Sequence, residues 1–327
     1  MTRAPRISVI MAAYNAARHI STALECLLSQ SFSDWEVVVV DDGSTDETEA
    51  VVAGYAGRDP RFVYHRLAQN AGTAAARNAG LDQARGDWVT ILDSDDRFEA
   101  DRLQVLLERA ERDDLDVLAD NIWLYDETAA AILSRGFDFP GEHQPLTPAM
   151  LVANDGPPRI ASLGHLKPFI RRSFIDRTGV RYPVEARLGE DFCFLFLLLE
   201  QTDRARLIAY TGYLYTLPFS AATGVRSTGT RTGYGSDGLD DLRRTNDSLA
   251  AHVARRDPAN RRLMALLRKR GNSLRDEGAW REARQHVRAR RFLAAAMLFA
   301  RMDVSFGRDQ IQAFVNRRKG RIQTVLR

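Results

Sequence analysis

The run Glu36–Val40 carries four consecutive valines and stops on Asp41-Asp42-Gly43-Ser44. A half-exposed strand alternates apolar with polar residues, so an unbroken β-branched run suits a strand covered on both faces, as in the middle of a parallel sheet. Parallel neighbours need crossovers, and helix-period segments lie on both sides. Ile7–Ala12 is a second short apolar run, and Ala16–Gln30 puts Ile20, Ala23, Leu24, Leu27 and Leu28 on one helical stripe. After the Asp-Asp-Gly-Ser turn a helix opens near Thr45 or Asp46, either a suitable N-cap. Arg61–His65 and Asp87–Leu92 read as strands, Thr73–Ala84 and Asp101–Arg112 as helices, and Leu115–Leu118 begins a further strand. This alternation predicts the α/β class, an open Rossmann-like sheet flanked by helices.

The pattern then loosens. Asn121–Phe139 reads as an antiparallel excursion, and Gly136 to Pro168 as a Pro- and Gly-rich loop. Phe169–Asp176 and Asp191–Glu200 read as helices, and Arg206–Tyr215 as one or two strands. Residues 218–238 are rich in Gly, Ser and Thr and read as a linker. Beyond it, Leu239–Val253, Asn260–Asp276, Trp280–Met302 and Asp309–Leu326 are helical patterns. The expected division is an α/β domain over 1–217, the linker 218–238 and a helical region over 239–327.

Charge separates the same parts. From Asp237 onward there are 22 Lys and Arg against 10 Asp and Glu, whereas the rest of the chain is net acidic. A basic tail on an acidic body points to an anionic partner for the tail. Arg268-Lys269-Arg270, Arg288, Arg290-Arg291 and Arg317-Arg318-Lys319 alternate with apolar stretches, and Phe292, Leu293, Met297, Leu298 and Phe299 could form an interfacial face. A helical bundle with a solvated basic face explains the same charges. No helix-turn-helix, zinc or aromatic-platform pattern accompanies them, so nucleic acid is not the expected partner. Cys26 and Cys193 are too few for a disulfide framework and fit a reducing compartment. No secretory leader pattern and no apolar run of roughly 20 residues is present. The expectation is a cytoplasmic protein, peripheral at most on the inner face of the plasma membrane.

Ligands of open α/β sheets bind beyond the carboxyl ends of the strands, and acids gather there. Asp41 and Asp42 close the valine strand, Asp93, Asp95 and Asp96 close the strand WVTIL, and Glu190 and Asp191 open a helix. An Asp at a strand-to-helix turn can be only a cap. Three carboxylates within four residues repel one another and call for a cation, and hard oxygen ligands suit Mg²⁺ or Mn²⁺. A metal there could hold a diphosphate and offset the charge of a leaving group.

The string SVIMAAYNAARHISTALECLLSQSFSDWEVVVVDDGSTDET, followed by NAGTAAARNAGLDQARGDWVTILDSDD and later GEDFCF, resembles the family 2 glycosyltransferases of the GT-A fold. The resemblance spans roughly residues 5–215. It implies an inverting transfer of a sugar, glucose or galactose by family habit, from a UDP-type donor to a hydroxyl. Carried across by position, the backbone at Ala12 and Ala13 and the ring of Tyr14 border the base, and Asp42 with Asp41 beside it matches the acid that bonds the base. Arg77 matches a residue near the base or diphosphate. Asp93 and Asp95 match the DxD motif, which contacts ribose and metal, with Ser94 between them and Asp96 adjoining. Asp191 matches the catalytic base, and Glu190 its orienter or an acceptor contact. His165 and Lys167 precede that motif and are candidates for the acceptor side.

Ala12-Ala13 departs from the family's frequent proline at that turn. Processive members carry Gln-x-x-Arg-Trp, whereas Gln285–Ala289 here lacks the Trp. One sugar per acceptor is therefore expected, on a glycan or polyprenyl-diphosphate-linked acceptor in exopolysaccharide, capsule or surface-glycan synthesis. The non-enzymatic alternative is a degenerate nucleotide-sugar-binding or scaffold protein, which the presence of all three acid clusters argues against.

Overall fold

The valine run is strand β2 (Trp35–Asp41), and every one of its residues is buried. It pairs in parallel with β1 (Ile7–Ala13) along its whole length, Ile7 opposite Trp35 and Ala13 opposite Asp41. Parallel β3 (Phe62–Arg66) lies beyond β2, and parallel β4 (Trp88–Ile91) on the other side of β1. The crossovers carry α1 (Ile20–Leu28), α2 (Thr48–Ala56) and α3 (Thr73–Gln83). These are the expected elements, with most ends moved by a residue or two and the start of α1 by four, from Ala16 to Ile20. The computed structural model describes residues 3–155, 162–217, 236–303 and 306.

α3 packs against β1 and β2 closely enough to decide a residue type. A Cβ on Gly80 would lie 2.4 Å from Ile10 Cγ2, so no larger residue fits without movement. Arg77 is one turn earlier on the same face, and the approach that Gly80 permits presses Arg77 toward the sheet, where it is 2% exposed.

The second half of the sheet is mixed. β5 (Arg97–Phe98), α4 (Arg102–Arg112), β6 (Val117–Asp126), β7 (Ala131–Arg135), β8 (His143–Pro145) and α5 (Pro148–Ala153) follow in order. Next come β9 (Phe169–Arg171), α6 (Arg172–Thr178), α7 (Glu190–Leu199) and β10 (Ala205–Thr216). The strand order is β3-β2-β1-β4-β9-β6-β10-β5, with β7 on β6 and β8 on β10. β6 and β7 form the expected antiparallel excursion.

The expectation of one helix over Phe169–Asp176 is overturned. Its first three residues are β9, antiparallel to both β4 and β6. Three residues are too few to show a period of two, and the pairing partners lie far away in sequence. Trp88 stacks on Phe169 across the β4–β9 pair at 5.0 Å between ring centroids, a core contact.

The described residues divide into two units. One comprises 3–151 and 163–217, and contains the sheet. The other joins 152–155 and 162 to the helices α8 (Ser236–Arg256), α9 (Arg261–Arg288) and α10 (Phe292–Phe299). A place for 152–155 and 162 with the C-terminal helices is absent from the division read off the sequence. Inside this unit Arg270 Nε meets Asp155 Oδ2 at 2.6 Å. α9 is continuous through Gly278, where two helices are expected, and the break falls instead at Arg290, whose φ is 58°. Trp280 meets Phe299 edge to face at 5.4 Å, holding α10 against α9. The linker 218–238 and the helix expected over Asp309–Leu326 fall largely or wholly outside the described residues.

Candidate active site

The carboxyl ends of β2 and β4 and the start of α7 bring the three acid clusters into two different environments. At the end of β2, Asp41 and Asp42 diverge as successive residues of an extended chain must. Asp41 accepts from the Ser44 amide at 2.8 Å, from the Tyr64 hydroxyl at 2.7 Å and from Arg66 Nη1 at 3.4 Å. Those partners hold the turn and the β2–β3 edge. Asp42 accepts from the amides of Ala71 at 2.6 Å and Gly72 at 2.9 Å, the residues that lead into α3. Asn15 braces the facing turn by accepting from the Thr45 amide at 2.8 Å. Tyr14 beside it is 36% exposed.

The second environment is ionic. Arg77 Nη2 meets Asp93 Oδ1 at 2.6 Å, and its Nη1 meets Asp191 Oδ1 at 2.6 Å and Glu190 Oε1 at 3.1 Å. Lys167 Nζ meets Asp93 Oδ2 at 2.8 Å and Asp191 Oδ2 at 2.5 Å. Both cations are almost wholly buried, and each touches both aspartates. Residues as much as 114 positions apart thus share one focus. Gly189, with a φ of 78°, makes the left-handed turn that enters α7 and delivers Glu190 and Asp191 to its first turn. Carboxylates are favoured there by the helix dipole.

Titration follows from this packing. Burial would raise the Asp93 carboxyl, but Lys167 and Arg77 hold it well below the usual carboxylate range. Burial would lower the Lys167 ammonium, but Asp191 and Asp93 push it up instead. Burial, with Asp93 adjacent, pushes Asp95 up to about 7. Burial and then the charge of Asp191 raise Glu190. Asp96 is raised by burial and by Asp95 and Asp93. Its oxygens are taken by the Tyr213 hydroxyl at 2.6 Å and the Thr216 amide at 2.7 Å.

The aspartate triplet therefore separates into three roles. Asp93 faces the cations, Asp96 ties the turn to β10, and Asp95 forms no salt bridge among the described residues. Asp93, Asp95, Glu190 and Asp191 set four carboxyls against two buried cations, a deficit of two positive charges when all four are ionised. A divalent cation matches it. Among the described residues no three His, Cys, Asp or Glu side chains form a ready-made cation cage. Mg²⁺-type ions commonly take only one or two carboxylates and complete their shell with phosphates and water, so Asp95 with Asp93 fits the need. Among the described residues Arg77 Nε is buried without a hydrogen-bond partner, one donor unused at the centre of the site.

Other candidates fall elsewhere. Ser94 Oγ is 3.4 Å from His19 Nε2 at the edge of the cluster. His165 packs edge-on to Tyr215 at 5.0 Å, while Lys167, expected with it on the acceptor side, sits between Asp93 and Asp191. The sequence reading missed Tyr213, which also accepts from the Asp93 amide at 3.2 Å. It missed Asn78 too, which exchanges two hydrogen bonds with the Tyr182 backbone, at 2.9 Å each. Asn78 adjoins Arg77 within the AARNAG motif, a signal that was available. Tyr213 carried none.

Residues 8–148 match the family described as Glycosyl transferase family 2. The chain is 34% identical over 215 residues to the succinoglycan biosynthesis protein ExoO of Rhizobium meliloti, covering 65% of this chain and 61% of that protein. It is 32% identical over 231 residues to ExoU of the same organism, covering 68% and 65%. The chain thus spans less than two thirds of the length of either relative. Among solved structures, S. aureus TarS in complex with UDP superposes with a TM-score of 0.62 at 21% identity, over 82% of this chain and 71% of that one. The mannosyltransferase PcManGT of Pyrobaculum calidifontis, in complex with GDP-Man and Mn²⁺, gives 0.56 at 18% identity, over 96% and 81%. Motifs, sheet order and these likenesses agree: residues 8–148 belong to the family 2 glycosyltransferases, and the sheet that they open has the GT-A fold.

Proposed function

We propose that the protein transfers a hexose, glucose or galactose, from a UDP-type donor to a hydroxyl of a glycan or polyprenyl-diphosphate-linked acceptor, with inversion, in exopolysaccharide or related surface-glycan synthesis. The observation that carries this reading is the double bridge: Arg77 and Lys167 each contact both Asp93 and Asp191. A donor-side carboxylate and a proton acceptor thereby share one pocket with two cations suited to a diphosphate.

The roles divide as follows. The base lies along Ala12, Ala13 and Tyr14 and bonds Asp42, while Asp41 serves the turn beneath. Ser94 borders the ribose. Asp95 with Asp93 holds Mn²⁺ or Mg²⁺, which when bound offsets charge on the departing diphosphate. Arg77 and Lys167 release carboxylate contacts for the diphosphate oxygens. That frees Asp191 to accept the proton of the acceptor hydroxyl. The acceptor oxygen bonds to the anomeric carbon as the bond from that carbon to the diphosphate breaks, so an α-linked donor gives a β-linked product. Glu190, drawn by Arg77, orients its neighbour.

Among the described residues no helix is long and apolar enough to cross a membrane. α10 nevertheless exposes Phe292 by 64%, Leu293 by 78% and Met297 by 55%, with Arg290 and Arg291 at its start. This supports peripheral work on the anionic inner face of the plasma membrane, where a lipid-linked acceptor would be found.

Hydrolysis of each of UDP-glucose, UDP-galactose, UDP-GlcNAc and GDP-mannose, with and without Mn²⁺, tests the reading. One UDP-hexose hydrolysed only with metal is expected. Binding without turnover of any donor, under every acceptor tried, would favour a nucleotide-sugar-binding role instead.

A further inference from the structure

Two buried charges lie beneath the ionic cluster, and the chemistry above does not use them. The side chains of Arg102 in α4 and Asp120 in β6 are 0% and 1% exposed. They meet as a fork, Nε to Oδ2 at 2.9 Å and Nη2 to Oδ1 at 2.8 Å. As core filling this is a poor choice, because apolar side chains of similar volume often give equal or greater stability than a buried ion pair. The pair does more than satisfy itself. The same Nη2 donates to the main-chain carbonyl of Lys167 at 2.9 Å, and Nη1 reaches Thr90 Oγ1 at 3.3 Å. Lys167 belongs to no helix or strand, so this bond fixes a carbonyl that no ladder holds.

The other half of the fork reaches β10. Asp120 Oδ2 accepts from the Gly212 amide at 3.1 Å. A Cβ on Gly212 would come within 2.8 Å of Arg102 Cγ and 2.9 Å of Asp120 Oδ2, so the strand is drawn tightly onto the pair. The β6–β10 register shifts there, between Ile208 and Tyr213. The next residue is Tyr213, whose hydroxyl joins the Asp93 amide to Asp96. Its ring lies 5.4 Å from the Arg102 guanidinium.

We propose that Arg102 and Asp120 are positioning residues of the active site. One buried fork sets both the backbone from which Lys167 reaches Asp93 and Asp191 and the strand that carries Tyr213 to the Asp93–Asp96 turn. The proposal rests on the reading of Lys167 as a donor-side cation. It explains why a charged pair occupies a place that apolar residues could fill. Loss of such supporting contacts around a site commonly costs 10–100-fold, and a displacement of about 1 Å can cost about 10²-fold.

The test compares Arg102→Met/Asp120→Leu, Lys167→Met and the triple variant in the full chain. If the apolar pair does not fold, Arg102→Gln/Asp120→Asn replaces it, keeping hydrogen-bonding groups without charge. Three readouts are taken: thermal midpoint, UDP affinity by calorimetry, and the ¹⁵N-lysine ammonium signal that Lys167→Met removes. Held between two carboxylates, the Lys167 ammonium should be protected from exchange in the wild type. The expected result is a folded pair variant with a near-normal midpoint, a broadened or absent Lys167 signal, and UDP affinity down by about 10–100-fold. The triple variant should lose less UDP affinity than the two separate losses combined, because the Lys167 arm is common to both changes. An unchanged Lys167 signal in the folded pair variant, or losses that simply add in the triple variant, would overturn the proposal. Unaltered UDP affinity in Lys167→Met alongside a lost signal in the pair variant would instead sink the donor role of Lys167 while leaving its anchoring intact.

Discussion

The acids at the end of β2 and those at the end of β4 look alike as text, Asp-Asp against Asp-Ser-Asp-Asp, yet they are neutralised by different means. Asp41 and Asp42 are held chiefly by amides and a hydroxyl, from Ser44, Tyr64, Ala71 and Gly72. Asp93 is held by two buried cations, which it shares with Asp191. Neutral donors fix a carboxylate in place for good, which suits a turn and a uniform contact to a base. A carboxylate held by buried cations can exchange those contacts with a diphosphate, as the proposed reaction requires. The lesson is that the partners of a carboxylate, more than its position at a strand end, separate architecture from chemistry.

This contrast can be broken most forcefully through the metal. Chelation with EDTA should abolish donor hydrolysis, and Mn²⁺ or Mg²⁺ should restore it, because four carboxyls face two cations at the β4 end. Turnover in metal-free buffer would remove the cation from the account. Stability offers a second readout. Asp95, raised to about 7, costs stability once ionised above that pH and is relieved by its proton below it. Mn²⁺ should therefore raise Tm more at about pH 8 than at about pH 6. Equal shifts at both would contradict a site at Asp95.

A smaller effect is expected at the β2 end. Asp42→Ala should weaken UDP binding by about 10–100-fold, the usual scale for a hydrogen bond to a charged group, with less change in turnover. Unchanged UDP affinity in a folded variant would take Asp42 out of the site. Asp41→Asn should do the reverse. Its amide group faces donors on the Ser44 and Tyr64 side, so stability should fall by about 1–3 kcal/mol, while the UDP Kd stays near the wild-type value. A large loss of UDP affinity without a fall in Tm would return Asp41 to the nucleotide.

The smallest effect on chemistry belongs to the C-terminal unit. Leu293→Glu with Met297→Glu should leave hydrolysis of a soluble donor intact and reduce sedimentation with phosphatidylglycerol-containing vesicles. Equal vesicle binding by the variant would leave α10 without a membrane role.

Much of this was legible in the sequence where the signal is local. β1, β2 and β4 with α1 and α3 follow from uninterrupted runs and a 3.6-residue stripe, and the motifs brought Arg77, Asp93 and Asp191 into view before any geometry. What stayed hidden depends on distant pairing. β9 is three residues long and exists because β4 and β6 flank it. Arg102 sits in α4, where charged residues are common, and only its fork to Asp120 reveals it as buried. Lys167 was expected beside His165, but the chain between His165 and β9 carries it to the cations' shared focus. The continuity of α9 was obscured by Gly271 and Gly278, which a long helix tolerates when it is packed against α8.

The central claim is that Asp191 is the proton acceptor of a site otherwise built to hold the donor, and Asp191→Asn measures it most directly. The substitution keeps size and leaves one oxygen for Arg77 or Lys167, so the variant should fold with a lowered Tm, because a buried ion pair loses one charge, and UDP affinity should stay close to wild type. Transfer turnover should fall by about 10²–10⁴-fold, the usual scale for loss of a general base. Near-normal transfer by the folded variant would contradict the account and move the search for the base to Glu190.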